Sequence, residues 1–152
     1  MKTKININNL FFLAIFLISI FTNDPHAEQV IGTKQSKIFG EEIATFNKPW
    51  ALSFINNNTM LITTKDGVLW FVDTSGLKKK VSKVPKVFAG GQGGLGDVII
   101  HPKFENNNFI YLSYVSSNTL GLTKFATVIR ANLEISESPE LTNIIEIWRQ
   151  KP

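Results

Sequence analysis

Residues Phe88–Phe104, FAGGQGGLGDVIIHPKF, gather the groups of this chain that could do chemistry. Gln92 stands between two glycine pairs, Gly90-Gly91 and Gly93-Gly94, and His101 follows in the same stretch. An amide offers both a donor and an acceptor to a hydroxyl or carbonyl oxygen. A histidine offers an acid–base group near neutral pH. Glycine at this density costs folding entropy, so either the turn is unusually tight or something lies close against its backbone. On the residues alone both readings stay open, a wide glycine turn or a ligand held against Gly91, Gln92 and Gly93. His101 invites assignment as a general base. Yet His101-Pro102 directly after Asp97-Val98-Ile99-Ile100 more simply ends a strand and starts a turn. His101 is given a structural role, and no catalytic residue and no metal ligand are assigned. The chain has no cysteine, which excludes a disulfide framework and thiolate metal sites.

The elements that must position these residues read as β. Trp50–Ile55, Met60–Thr64 and Val68–Asp73 carry strand patterns. Asn56–Thr59 is turn chemistry, and Asp66-Gly67 is a hairpin signal. No stretch after the N-terminal region keeps a 3.6-residue apolar period over a helix length. Two Asn triplets, starting at Asn56 and Asn106, each sit between apolar strands, fifty residues apart. A period near fifty built of short strands is the signature of β-propeller blades. A third unit is expected from about Ala126, with strands in Ala126–Ser136 and Asn143–Gln150.

The N-terminus has the layout of a secretory signal peptide. Lys2 and Lys4 precede an apolar run, Leu10–Phe21, and a cut is expected after Ala27. That run is shorter than the ~20 residues a bilayer span needs, and an uncleaved anchor is the alternative. The domains are thus 1–27, signal peptide, and 28–152, all-β and exported to the periplasm. The formal charge of +4 is modest, and the one lysine run, Lys78–Lys80, lacks interleaved aromatics. It reads as a solvated turn, and no nucleic-acid partner is expected. At about fifty residues per blade, 28–152 holds about two and a half blades, which cannot close a ring of 4 to 8.

Asn47–Phe54 (NKPWALSF), Val84–Phe104 and Asn106–Tyr114 (NNNFIYLSY) together resemble the soluble glucose/sorbosone dehydrogenases, periplasmic aldose dehydrogenases that use pyrroloquinoline quinone (PQQ). The resemblance implies a six-bladed propeller, of which this chain is the N-terminal part. It implies that Gln92 contacts sugar or cofactor, while the surrounding glycines let backbone pass close to a flat quinone. It implies PQQ and calcium as cofactors, whose calcium ligands and arginine clamps belong to later blades. The family's base is a histidine in a later His-x-x-x-Arg-Leu segment, which this chain does not contain. The parent activity would be oxidation of an aldose C1 hydroxyl to a lactone, with this chain inactive alone. Whether it is itself an enzyme is left open. The remaining blades would come from a second chain or reading frame. A non-catalytic binding propeller and a pseudogene-like product are the alternatives. Thr63-Thr64-Lys65 replaces a Thr-Glu-Arg usual in the family, a change expected to weaken a polar network beneath the site.

Overall fold

The computed structural model describes residues 29–33, 36–118 and 120–151. The signal-peptide reading of 1–27 lies outside them. Among the described residues no helix is long and apolar enough to cross a membrane. The chain divides into two compact units, Met1–Glu42 and Ile43–Pro152. In the first, β1 (Gln29–Thr33) pairs antiparallel with β2 (Ser36–Gly40).

The second unit holds two four-stranded antiparallel meanders. One is β3 (Pro49–Asn56), β4 (Thr59–Thr64), β5 (Val68–Asp73) and β6 (Lys78–Lys80). The other is β7 (Leu95–Ile100), β8 (Phe109–Ser117), β9 (Lys124–Glu134) and β10 (Glu140–Arg149). Spatial order follows chain order in both, as in propeller blades. The chain is therefore a partial β-propeller. A single helical turn, α1 (Phe104–Asn107), lies between β7 and β8.

Turn chemistry explains the boundaries. At the first Asn triplet, Asn58 N–H donates to Asn56 Oδ1 at 2.8 Å. At the second, Asn108 takes left-handed angles and its N–H closes α1 on the Phe104 carbonyl at 2.7 Å. Asn107 Oδ1 then receives Phe109 N–H at 2.9 Å. Both triplets thus turn the first strand of a sheet into the second. Gly67, at φ +96°, closes the β4–β5 hairpin through its N–H to the Thr64 carbonyl. Asp73 Oδ1 accepts from the Ser75 hydroxyl and from Ser75 and Leu77 N–H, which shapes the β5–β6 turn.

The two sheets share one core. β9 shows why: Thr127, Ile129, Ala131 and Leu133 are buried at alternate positions, the period of a strand with one packed face. They join Leu112, Ile110 and Leu141 against Leu61, Leu69 and Val81 of the other sheet and its outgoing linker. Each fully buried aliphatic side chain is worth about 1.5–3 kcal/mol relative to exposure.

The expected third unit is corrected. β9 pairs with β8 from Phe109↔Asn132 to Ser117↔Lys124, and β10 pairs with β9. Both strands complete the second sheet. The cause is local: Asn118 Oδ1 receives Leu122 and Thr123 N–H, folding the segment back on β8. Ten strands are present among the described residues. The two beyond the complete meanders are β1 and β2 of the first unit. Trp50–Ile55 and Val98–Ile100 hold the expected equivalent places, in the first strand of each sheet.

Candidate functional site

The glycine loop enters β7 and is tied to both sheets. Phe88 N–H donates to the Val115 carbonyl at 2.8 Å, and Val115 N–H donates to Gly94 O at 2.9 Å. From the other sheet, Lys65 Nζ donates to Gly91 O at 2.6 Å, and the Lys65 carbonyl receives Leu95 N–H at 3.3 Å. Within the loop, Gly93 N–H closes on Gly90 O at 2.8 Å.

This frame decides what the glycines are for. A Cβ at Gly93 would sit 2.6 Å from the Phe88 carbonyl oxygen, and one at Gly94 would meet the Lys65 carbonyl. These two are glycines because the chain crowds itself. Gly91 differs: φ is +57° and nothing lies within 4 Å of its missing side chain. The tightness of the turn accounts for Gly93 and Gly94, and open space remains at Gly91 beside Gln92.

Gln92 is exposed and lines a cleft of about 350 Å³. Gly93 lines it too, with Trp50, Lys65, Asp97, Tyr114 and Trp148 among the other walls. Aromatic walls with a few polar groups are the usual make-up of a small-molecule site. Among the described residues the Gln92 amide has no hydrogen-bond partner, so donor and acceptor are both unfilled. Burial, above all, raises the Tyr114 phenol above its ordinary range; Glu146 adds to the shift and Arg149 opposes it.

The Thr63-Thr64-Lys65 stretch makes polar contacts of its own. Thr63 is fully buried, accepts Ala51 N–H at 3.1 Å and donates to the Gly96 carbonyl at 2.7 Å. The Thr64 hydroxyl bonds to the Asp66 carboxylate. Lys65 fastens the loop, as above. Thr63-Thr64-Lys65 thus ties the first sheet to both the loop and β7. The sequence reading missed Lys65, Trp50 and Trp148 as site residues. Their link to Gln92 is long-range, and no local pattern encodes it.

His101 sits at the other end of β7, roughly 16 Å of strand away at ~3.3 Å per residue. Its Nδ1 accepts from Lys103 N–H and from the Asn107 amide, each at 2.9 Å. Nδ1 is therefore the acceptor and Nε2 carries the proton of the neutral ring. The ring stacks on Tyr111 at 6.3 Å and meets Phe109 edge-on at 6.0 Å. The strand separates His101 from Gln92, and the turn consumes its ring nitrogen. Among the described residues no cluster of three or more His, Asp or Glu side chains could hold a metal ion.

Residues 46–152 match the Glucose / Sorbosone dehydrogenase family model. The chain belongs to the glucose/sorbosone dehydrogenase family. It is 37% identical over 107 residues to the aldose sugar dehydrogenase YliI of Escherichia coli, covering 68% of this chain and 28% of that protein. A crystal structure of the soluble aldose sugar dehydrogenase from Escherichia coli in the apo-form superposes with a TM-score of 0.63 at 35% identity, over 70% of this chain and 30% of that one. The quinoprotein glucose dehydrogenase B of Acinetobacter calcoaceticus is 31% identical over 107 residues, 66% of this chain and 22% of that protein. The PQQ-bound aldose sugar dehydrogenase of Streptomyces coelicolor shares the fold, with a TM-score of 0.63 at 20% identity, over 84% of this chain and 36% of that one. This member of the family thus spans less than a third of the length of the curated relatives it matches.

Proposed function

We propose that this chain supplies two blades and the glycine loop of a periplasmic, PQQ-dependent site that oxidises the C1 hydroxyl of an aldose to a lactone. The observation that carries the reading is Gln92, held in an aromatic-walled cleft by a loop tied to both sheets. Gln92 can donate to a quinone oxygen and can donate to or accept from a sugar hydroxyl, and the space at Gly91 admits the ligand close to backbone. Trp50 and Trp148 offer flat apolar walls to a ring, and the Lys65 ammonium beside Gln92 favours an anionic or carbonyl group. PQQ, when bound, takes up the hydride leaving the sugar. Export through a signal peptide ending at Ala27 and a calcium site in other blades belong to the same proposal.

The chain alone is expected not to turn over. A general base contributes ~10²–10⁴-fold. Orientation of cofactor and sugar by a complete pocket is worth up to ~7–11 kcal/mol, so blades beyond these two weigh more than the base. The test is an assay of the chain with PQQ, calcium, an aldose and a dye acceptor, repeated after joining it to the later blades of the Escherichia coli relative. Turnover is expected only in the joined protein, falling about tenfold with Gln92→Ala, the worth of one hydrogen bond. Turnover by the chain alone, or no effect of Gln92→Ala, would contradict the reading. A second reading, a non-catalytic sugar-binding propeller, is favoured by one observation: among the described residues the cleft holds no histidine. Sugar binding without turnover in the joined protein would select it.

A further inference from the structure

The second sheet carries a charge that no neighbour answers. Its register sets Ile99, Tyr111, Arg130 and Ile145 in one row, with Phe109 opposite Asn132 in the next row on that face. Ile129, Ala131 and Leu133 take the other, buried face, so Arg130 points away from the shared core. Its guanidinium lies over the Phe109 ring at 4.3 Å. There Arg130 Nε is buried without a hydrogen-bond partner. Among the described residues its terminal nitrogens have no partner either, but they are not sealed off. The ion pairs among the described residues are Lys83–Glu140 and Arg149–Glu146. Other polar groups on this side are used elsewhere. Asp97 Oδ1 accepts Val98 N–H at 2.9 Å, and Glu134 Oε1 accepts the Thr142 hydroxyl at 3.2 Å. The Asn132 amide donates to the Asn107 carbonyl and accepts from Asn143.

The side chains around Arg130 are those of a covered face. Ile99, Ile145 and Trp148 are 54, 46 and 53% exposed on it. Large apolar side chains grouped on a sheet face mark an interaction surface. The Escherichia coli relatives are matched over 28% and 30% of their length, which leaves more than two thirds of each outside the match. The opposite face of the second sheet is already covered by a sheet, and the side chains that meet there are apolar. An equally apolar cover over Arg130 would take its terminal nitrogens from water and give nothing back, the costliest way to bury a charge. The cover that fits brings an anion. A carboxylate matches the planar fork of a guanidinium with two parallel hydrogen bonds. We propose that this face receives a further β-sheet of a longer polypeptide, and that the incoming sheet presents an Asp or Glu carboxylate to the terminal nitrogens of Arg130. A single charged pair among apolar side chains also selects one seating, because every shifted register strands both charges. The inference stands on the fold and does not depend on which ligand the cleft takes.

The test uses this chain joined to the later blades of the Escherichia coli relative. A crystal structure of the joined protein is expected to show a carboxylate of the covering sheet within hydrogen-bond distance of the Arg130 terminal nitrogens. A backbone carbonyl, a water or open solvent in that place would overturn the proposal. Urea unfolding adds the energetic side. Arg130→Met strands the carboxylate, and the midpoint is expected to fall by roughly 1 M or more. Neutralising that carboxylate to its amide in the Arg130→Met protein is expected to recover part of the loss. A midpoint unmoved by Arg130→Met, or a loss that the second change deepens, would also overturn the proposal. The crystal structure needs no variant, so it decides the matter even where Arg130→Met does not fold. Neither readout involves turnover, so a joined protein that oxidises nothing would sink the functional reading and leave this one standing.

Discussion

At the entry to β7 Gln92 stands exposed on a loop held by Lys65 and Val115; at its exit His101 lies under two incoming hydrogen bonds and against two aromatic rings. Both residues are polar and close in sequence, and either reads as a site residue by type alone. Hydrogen-bond capacity separates them. A group whose capacity is filled inside the fold holds the fold, and removing it strands its partners. A group presented with its capacity unfilled, on a backbone that cannot drift, is available to a ligand. The rigid end of the strand is thus the structural one, and the tethered but open end is the binding one.

The contrast can be broken most severely through the backbone. Gly94→Val places a branched side chain at φ +148°, against the Lys65 carbonyl. Strain and overpacking together are expected to cost about 3 kcal/mol or more, read as a lowered urea midpoint. At the other end, Asn108→Gly should change stability by no more than about 0.5 kcal/mol, because Asn108 already takes the left-handed angles glycine prefers. Equal losses at the two ends would erase the distinction.

A smaller effect comes from the two side chains themselves. His101→Ala is expected to cost about 1–2 kcal/mol, since Lys103 N–H and the Asn107 amide lose their acceptor. Gln92→Ala should stay within about 0.5 kcal/mol of wild type, as exposed substitutions usually do. The same urea series measures both, and a costlier Gln92→Ala would mean that the loop depends on the amide.

The smallest effect is a pH dependence at the cleft. Burial raises the Tyr114 pKa above its unfolded value of 10.0. The sign follows: the stability tied to the neutral phenol is fully present below pH 10 and is lost as pH rises through the raised folded value. Tyr114→Phe should flatten the alkaline fall in melting temperature. An identical fall in both proteins would place its cause elsewhere.

Strand identity was legible because it is local. The alternation in Lys124–Glu134, the Asp66-Gly67 hairpin and both Asn triplets are each written within a few residues. Sheet membership was not. Nothing within Ala126–Gln150 says that these strands pair back onto Phe109–Ser117 rather than opening a new sheet, since the turn that decides it is set by Asn118, ahead of that stretch. The site divides the same way. The glycine density flagged the Gln92 loop, and His-Pro after a strand gave His101 its structural role. Lys65 lies twenty-six residues from Gly91 and Thr63 thirty-three from Gly96, so neither tether leaves a local trace.

The central claim is that ligands meet the Gln92 end of β7. It is tested most directly by two-dimensional amide NMR of this chain joined to the later blades of the Escherichia coli relative, during titration with PQQ and with an aldose. The account predicts shift changes at the Gln92 side-chain amide, at Gly93 and Gly94, and at the indoles of Trp50 and Trp148, with His101–Asn108 unmoved. Changes centred on His101–Asn108, or a spectrum unaltered throughout the titration, would contradict it.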